Sequence, residues 1–412
     1  MSRKMKESGI DWIGSIPKSW NTIKFKYLHG GMNTGEGIDK NFWSNEPTDK
    51  LFYTAGIKPI RTNYEDFPEW KYTKENDLLL ARNGTPYIYI PYPNACYTDH
   101  IIRATMNASV NKRFVQYGLQ CSIASVVVDS VSLATWSASL WNKQVIAWPS
   151  AEEQERIVPF LDEKCAEIDN VLEKTRASIN EYKKLKQSII TQAVTKGIRG
   201  DRAMKDSGIE WIGEIPEDWD AKRGKALFHE IKNLSTDGTE ELLTVSQYTG
   251  ITPRSQKNVT MFQSESLVGY KIVEIGDIGA NTMWLWDGAI GVSTYRGVIS
   301  PSYNVYRQNN GEYDSRYLDY LLRNPLLVQH YESKSTGIRA SRLRLYPQQF
   351  LSIMFPLPDI IEQRVIAEYL DNKCKGIETL IGKKYELIAD LEGYKNSLIY
   401  EYVTGKKEVP QA

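Results

Sequence analysis

The stretch MKESGIDWIGSIPKSW (residues 5–20) returns at residues 204–219 as MKDSGIEWIGEIPEDW. Eleven of the sixteen positions are identical, and two more exchange Asp with Glu. A second pair follows in the same order, EQERIVPFLDEKC (residues 153–165) and EQRVIAEYLDNKC (residues 362–374). Because an internal repeat outranks local motifs as a guide to architecture, the sequence predicts a duplicated chain built as module, helix, module, helix.

A long helix is predicted after each module. Residues 151–196 carry acids in the first turns and end before Gly197, as the helix dipole and a glycine C-cap favour. Small or apolar residues recur at alternating steps of four and three, the pattern of a coiled-coil seam. The two series are Leu161, Cys165, Ile168, Leu172, Thr175, Ile179, Tyr182, Lys186, Ile189, Ala193 and Leu370, Cys374, Ile377, Ile381, Lys384, Ile388, Leu391, Lys395, Leu398, Tyr402.

Neither helix can bury its stripe alone, so the two are expected to pair as an antiparallel coiled coil with pseudo-twofold symmetry. Thr175, Lys186, Lys384 and Lys395 interrupt the seam, and parts of it are therefore expected to face solvent or another partner. A helical dimerisation arm with no role in spacing is the alternative interpretation.

The predicted fold class is α+β, with two globular mixed α/β modules, each followed by a long helix. The predicted boundaries are 1–148 and 198–357 for the modules, 149–197 and 358–405 for the helices, and 406–412 for a tail. Within the modules, runs typical of strands lie at residues 77–81, 87–90, 125–128, 242–245 and 353–355, and short helices are predicted at residues 111–119 and 314–322.

Composition excludes several classes of protein. Lys plus Arg and Asp plus Glu both number 51, so any nucleic-acid interface must be a local patch. The four cysteines form no CxxC pair, and zinc-ligand spacing is absent. No signal peptide or membrane-spanning apolar run is present, which predicts a cytoplasmic protein with reduced thiols and no membrane partner.

Catalytic motifs are missing from the sequence. No GxxxxGK[ST] loop, GxGxxG turn, NPPY-like motif or GxSxG elbow occurs. The glycine-rich residues 31–37 (GMNTGEG) lack the Lys–Ser/Thr that handles phosphate and are interpreted as a turn. The sequence therefore predicts a binding subunit rather than an enzyme, with no cofactor or metal site of its own.

In the second module, residues 334–344 (KSTGIRASRLR) are the clearest candidate for contact with DNA. They hold four basic side chains and no acid, and arginine can reach phosphates as well as guanine edges. The candidate residues are Lys334, Thr336, Arg339, Arg342 and Arg344. A solvated basic loop is the alternative.

Residues 281–288 (NTMWLWDG) are a second candidate in this module, through Asn281 and Trp284, with a buried strand pair as the alternative. In the first module the candidates are Lys58 and Arg61, together with Arg82 and Asn83 at the end of an apolar strand. A plain β-turn is the alternative there.

The chain resembles the specificity subunits of Type I restriction–modification systems. The resemblance rests on the SGIxWIGxIPxxW segments at residues 8–20 and 207–219, the helix entries PSAEEQ (149–154) and PDIIEQ (358–363), and the long helices ending in Val–Thr. Residues 276–306 also look like a recurrent core of a target recognition domain.

The resemblance implies two target recognition domains, each reading half of a bipartite, asymmetric site in double-stranded DNA, with the paired helices setting the unread spacer. It also implies two methyltransferase subunits clasped around the helices and, for cleavage, restriction/translocase subunits. S-adenosylmethionine, ATP and magnesium would belong to those partners. The alternatives are a stand-alone bipartite DNA-binding regulator and a DNA-modifying enzyme with an unrecognised site.

Overall fold

The computed structural model describes residues 3–56, 58–83, 86–127, 135–257, 266–338 and 343–410, except the side chains of residues 125–127. Contacts divide the chain into two compact units, residues 1–175 with 386–412 and residues 176–385. Each unit therefore holds one module together with part of each long helix.

The first unit is built on two four-stranded sheets. Its strands are β1 (Met5–Glu7), β2 (Ser15–Pro17), β3 (Asn21–Lys24), β4 (His29–Thr34), β5 (Trp43–Ser44), β6 (Lys50–Tyr53), β7 (Ile60–Thr62), β8 (Asp77–Ala81), β9 (Ile88–Tyr89), β10 (Cys96–Tyr97), β11 (Ile101–Met106) and β12 (Val145–Trp148), and its module helices are α1 (Lys112–Val127) and α2 (Ala138–Lys143). The sheet orders are β4-β11-β8-β9 and β10-β6-β7-β5, while β1 pairs with β2 and β3 with β12.

Strand β8 lies between two apolar cores. Leu78 and Leu80 belong to the core around Trp141, whereas Leu79 belongs to the core around Phe52. Because both faces of the strand are covered, its sequence is a continuous apolar run instead of an alternating one. The prediction of a strand at residues 77–81 is confirmed to the residue.

Two local predictions in the first module are wrong. Residues 125–127, predicted as strand, are the end of helix α1, which Asn111 caps by accepting from the Phe114 amide at 3.1 Å. A helix started by a cap and an apolar face thus overrides the strand propensity of its last residues. Most of the glycine-rich stretch at residues 31–37 is strand β4 instead of a turn. A Cβ atom on Gly35 would lie 1.8 Å from the Tyr97 carbonyl oxygen, so close backbone approach explains that glycine.

The second unit repeats part of this construction, with one four-stranded sheet and four two-stranded sheets among its described residues. Its strands are β13 (Met204–Ile209), β14 (Gly213–Pro216), β15 (Asp220–Arg223), β16 (Phe228–Ile231), β17 (Leu243–Ser246), β18 (Gly250–Pro253), β19 (Lys271–Val273), β20 (Ile278–Ala280), β21 (Ile290–Val292), β22 (Gly297–Ile299), β23 (Asn304–Gln308) and β24 (Met354–Leu357), and its module helices are α4 (Gly224–Leu227), α5 (Ser315–Leu322), α6 (Pro325–Lys334) and α7 (Pro347–Ser352). The sheet order β16-β23-β20-β21 matches β4-β11-β8-β9, and the pairs β13-β14 and β15-β24 match β1-β2 and β12-β3.

The long helices are α3 (Ala151–Lys196) and α8 (Ile360–Val403). The first of them has the predicted bounds, and its seam cysteine is buried, like Cys374 of the second helix. Seam lysines reach acids of the other helix. In the first unit Lys395 donates to Asp169 at 2.7 Å, and in the second unit Lys186 donates to Glu378. A lysine can therefore occupy a seam position, because its stem packs there while its ammonium group reaches the rim.

Two glycines near or within helix α8 are expected to respond oppositely to alanine. Gly405 has φ +70°, and a Cβ atom there would lie 2.6 Å from ring carbons of Pro17, so Gly405→Ala should lower the free energy of unfolding by about 2–4 kcal/mol. Gly376 lies inside the helix with nothing within 4 Å of its Cβ position, so Gly376→Ala should raise it by about 0.5–1 kcal/mol. Thermal unfolding of both variants tests this, and equal shifts in the same direction would contradict it.

Candidate nucleic-acid interface

The first candidate site lies at the turn between strands β8 and β9. Arg82 is exposed there, with its backbone tied by the Arg82 amide donating to the His100 carbonyl at 2.8 Å. The Asn83 amide group is hydrogen-bonded to the His100 ring at 2.8 Å. His100, which the sequence analysis missed, thus holds the asparagine side chain in one orientation.

The equivalent turn of the second module, between strands β20 and β21, carries aromatic side chains. Trp284 is half exposed, and its ring stacks on that of Trp286 with centroids 5.7 Å apart. Leu285 anchors the turn in the core, and the Trp286 indole donates to the Met283 carbonyl at 2.9 Å. Asn281 is buried and accepts from the Met283 amide, so it shapes the turn.

These two turns occupy the same place in matching sheets. In the first module Leu80 pairs with Ile88 across the turn, and in the second Ala280 pairs with Ile290. The candidates Arg82–Asn83 and Trp284 therefore lie on equivalent turns of the two modules. For residues 281–288 the alternative of a buried strand pair holds only in part. The flanking strands are buried, but Trp284 is half exposed.

The other two candidates of the first module, Lys58 and Arg61, lie next to and on a different sheet. Arg61 is on strand β7, half buried, and its guanidinium donates to the Asp49 carbonyl. Lys58 is exposed just before that strand. The structure therefore does not place these two residues on the sheet of Arg82 and Asn83.

The basic loop of the second module is closed at its base. Thr336 and Arg344 exchange backbone hydrogen bonds of 2.9 Å, and Lys334 donates to Glu210 at 2.9 Å. Ile338 is almost fully exposed between them. Arg339 and Arg342 lie outside the described residues, so their role stays a prediction.

Each module contacts the start of a long helix through a glutamate, which is partly buried in the first unit and buried in the second. In the first unit the Trp20 indole donates to Glu153 at 2.7 Å, and Arg3 pairs with the same carboxylate. In the second unit Trp219 donates to Glu362 at 3.1 Å, and Arg202 pairs with that carboxylate. We call each set the end contact. The hydrogen bonds to Glu362 raise the pKa of Arg202.

Further along each helix, an aspartate holds a second set of side chains. Arg113 and Tyr117 of helix α1 both donate to Asp162 at 2.6 Å. In the second unit Arg316 and Tyr320 both donate to Asp371 at 2.9 Å. We call each set the side contact. Burial is the largest cause that raises the pKa of both tyrosines, and the hydrogen bond to the aspartate is the next largest.

The side contact was also missed in the sequence analysis, although a signal for it was present. Asp162 and Asp371 are the identical aspartates of the second repeat, in LDEKC and LDNKC. Arg113–Phe114 and Arg316–Tyr317 lie near the starts of the two predicted module helices, and a tyrosine follows each arginine after four residues. Residues four apart lie on one helix face, so the tyrosines could have been found.

An exposed apolar row runs along each long helix outside the seam. Its members are spaced by multiples of seven residues and sit at equivalent positions of the repeat: Val171 and Leu185 on α3, and Leu380, Leu387 and Tyr394 on α8. A heptad row of exposed large apolar side chains is typical of a surface that another helix covers.

The described residues contain no group of three or more His, Cys, Asp or Glu side chains that could hold a metal ion. Within the same part of the chain, none of the helices has both the length and the apolar character that crossing a membrane requires.

Comparisons with known proteins identify similar chains. The specificity subunit of the Type I restriction enzyme MjaVIII from Methanocaldococcus jannaschii is 24% identical, covering 96% of this chain and 94% of its own length. The putative MjaX specificity subunit of the same organism is 24% identical over 64% of this chain. A chain of a solved type I R-M system aligns with a TM-score of 0.66 at 15% identity, covering 95% of this chain and 99% of its own. No protein-family model matches.

These relatives confirm the resemblance that the sequence motifs carry. The chain is similar over nearly its whole length to a specificity subunit of a Type I restriction enzyme, and its mixed α/β fold is that of a chain from a type I R-M system. The names also agree with the prediction of a specificity subunit rather than a catalytic one.

Proposed function

We propose that the chain is the DNA-sequence-specificity subunit of a Type I restriction–modification complex. One observation carries this proposal: two modules share a sheet order and the same contacts to the long helices, but expose different side chains at the same turn. A shared scaffold with different surface chemistry is what two readers of different sequences require. The similarity to named specificity subunits supports it.

Each module reads one half of a bipartite site. In the first module Asn83, held by His100, offers the hydrogen bonds that suit adenine, and Arg82 beside it suits phosphate or guanine. In the second module Trp284 offers a rigid apolar face, which suits a thymine methyl group, and the basic loop supplies phosphate contacts. The two halves of the site therefore differ, and the site is asymmetric.

The long helices form an antiparallel coiled coil with pseudo-twofold symmetry. The ion pairs Asp169–Lys395 and Glu378–Lys186 support this arrangement, because they join equivalent positions of the repeat with the roles of the two helices exchanged. The Phe160 ring, near the start of α3, also packs against the Tyr402 ring, near the end of α8, with centroids 4.6 Å apart and the rings tilted. The proposed domain boundaries remain 1–148, 149–197, 198–357 and 358–405.

The exposed apolar rows on both helices dock two methyltransferase subunits, and restriction/translocase subunits join for cleavage. A row on each helix at equivalent positions suits two copies of one partner. S-adenosylmethionine, ATP and magnesium are bound by these partners. This chain supplies DNA recognition and a scaffold.

Reconstitution with the methyltransferase subunit tests the proposal. The purified chain alone should neither methylate nor cleave DNA, and the assembled complex should methylate DNA in a sequence-dependent way. Robust methyl transfer or nicking by the chain alone would identify an enzyme with an unrecognised site. Tight sequence-specific binding without any association with a methyltransferase subunit would favour a stand-alone regulator.

A further inference from the structure

Two contacts hold each module on its long helix, and they are separated by the same number of residues in both units. The end contact uses Glu153 and the side contact uses Asp162. In the second unit the corresponding residues are Glu362 and Asp371. Nine residues separate the members of each pair, which corresponds to about 13 Å along the helix. A body held at one point can pivot, whereas a body held at two points this far apart keeps its angle.

The side contact has the geometry of a positioning device. One carboxylate accepts from a guanidinium and a phenol at once, and the Arg113 guanidinium lies 4.8 Å from the centre of the Tyr117 ring. Tyr117 is buried, and its hydroxyl donates to Asp162 while accepting from Arg113 at 3.2 Å. Asp162 and Arg113 are each about 40% exposed, so the ion pair itself adds little to stability.

We infer that the side contact fixes the angle of each module on its helix and thereby the length of the unread spacer. This inference rests on the proposed function above. A tilt of about 6° moves a surface about 30 Å away by about 3 Å, close to the rise of one base pair. Loss of the side contact should therefore let neighbouring spacer lengths be accepted, while each module still reads its own bases.

The test uses the assembled methyltransferase complex with the double variant Asp162→Ala/Tyr117→Phe. This variant removes the contact without leaving a buried hydroxyl unpaired, and alanine is a good helix former. Binding is selected from DNA in which the two half-sites are separated by spacers of varied length. Glu173→Ala is the matched control, because it replaces another acid of the same helix that is exposed and lies outside the side contact.

Wild type and Glu173→Ala should each select one spacer length. In the double variant, spacers longer or shorter by one base pair should gain roughly tenfold relative to that length, with both half-sites unchanged. Asp162→Asn keeps an acceptor for Tyr117 and should retain the single length. If the double variant fails to assemble, Tyr117→Phe alone, which removes one oxygen atom, is measured in the same way.

A lower unfolding temperature with an unchanged spacer preference would overturn the inference and assign the contact to stability alone. The same broadening in Glu173→Ala, or a changed half-site, would also overturn it. The proposed function fails in a distinguishable way, because wild type itself would then show no bipartite site at any spacing.

Discussion

Replacing residues 21–148 with the corresponding module of a relative is expected to change one half of the recognised site completely and leave the other half intact. The reason is that the β4-β11-β8-β9 sheet, with its own cores and the turn between β8 and β9, lies wholly within this segment. Arg113 and Tyr117 must be retained in the replacement, since they contact Asp162 outside it. Mapping of methylated sites for the chimeric complex measures the result.

The reciprocal replacement of residues 220–357 serves as the control and should change the opposite half. Here Arg316 and Tyr320 are the residues to retain. A chimera in which both halves change together would show that the modules are not independent readers.

Lengthening both long helices by four residues, after Thr175 and after Tyr385, is expected to lengthen the unread spacer by one to two base pairs with both halves unchanged. These positions are the borders of the two compact units along the chain, so the contacts of each module stay intact. Site mapping of the variant complex gives the spacer directly.

The geometry of the two kinds of helix makes four residues a suitable insertion. Four residues add about 6 Å and, at 3.6 residues per turn, about 40° of rotation beyond one full turn. One base pair of B-DNA adds about 3.4 Å and roughly 35° in the same right-handed sense. The displaced module therefore still faces the groove, and the coiled-coil seam tolerates four residues as a stutter.

An insertion at residues 194–202, where helix α3 joins the second module, should behave differently. Val194 is buried and its carbonyl accepts from the Tyr317 hydroxyl at 3.1 Å, and Arg202 is part of the end contact. Insertion there breaks packing inside the second unit, so we expect loss of stability instead of a clean spacer change. An unchanged spacer after the paired insertions would favour the dimerisation-arm interpretation of the helices.

The sequence predicted the repeated parts of this protein well. Helix α3 has the predicted bounds, and the seam residues Leu161 and Leu370 are buried. Periodicity over many turns averages out local exceptions, so long helices are the most predictable elements. The two module helices were also found, at residues 111–119 and 314–322.

The contacts that depend on three dimensions were not predictable from one sequence. Asn83 follows strand β8 and His100 precedes strand β11, and nothing in their spacing indicates that they meet. The ion pair of Arg202 with Glu362 could not be predicted for another reason. An acid in the first turn of a helix is already explained by the helix dipole, so Glu362 gave no sign of a partner. Only the sheet order shows that the two turns are equivalent, because Arg82–Asn83 and Trp284–Trp286 share no residue types.

Mapping of methylated bases in cells that carry the methyltransferase subunit, with and without this chain, tests the central claim most directly. We expect methylation at one asymmetric motif, made of two specific halves separated by a fixed unread gap. This methylation should disappear when the chain is absent. The same motif in both cells, or a single continuous motif, would contradict it.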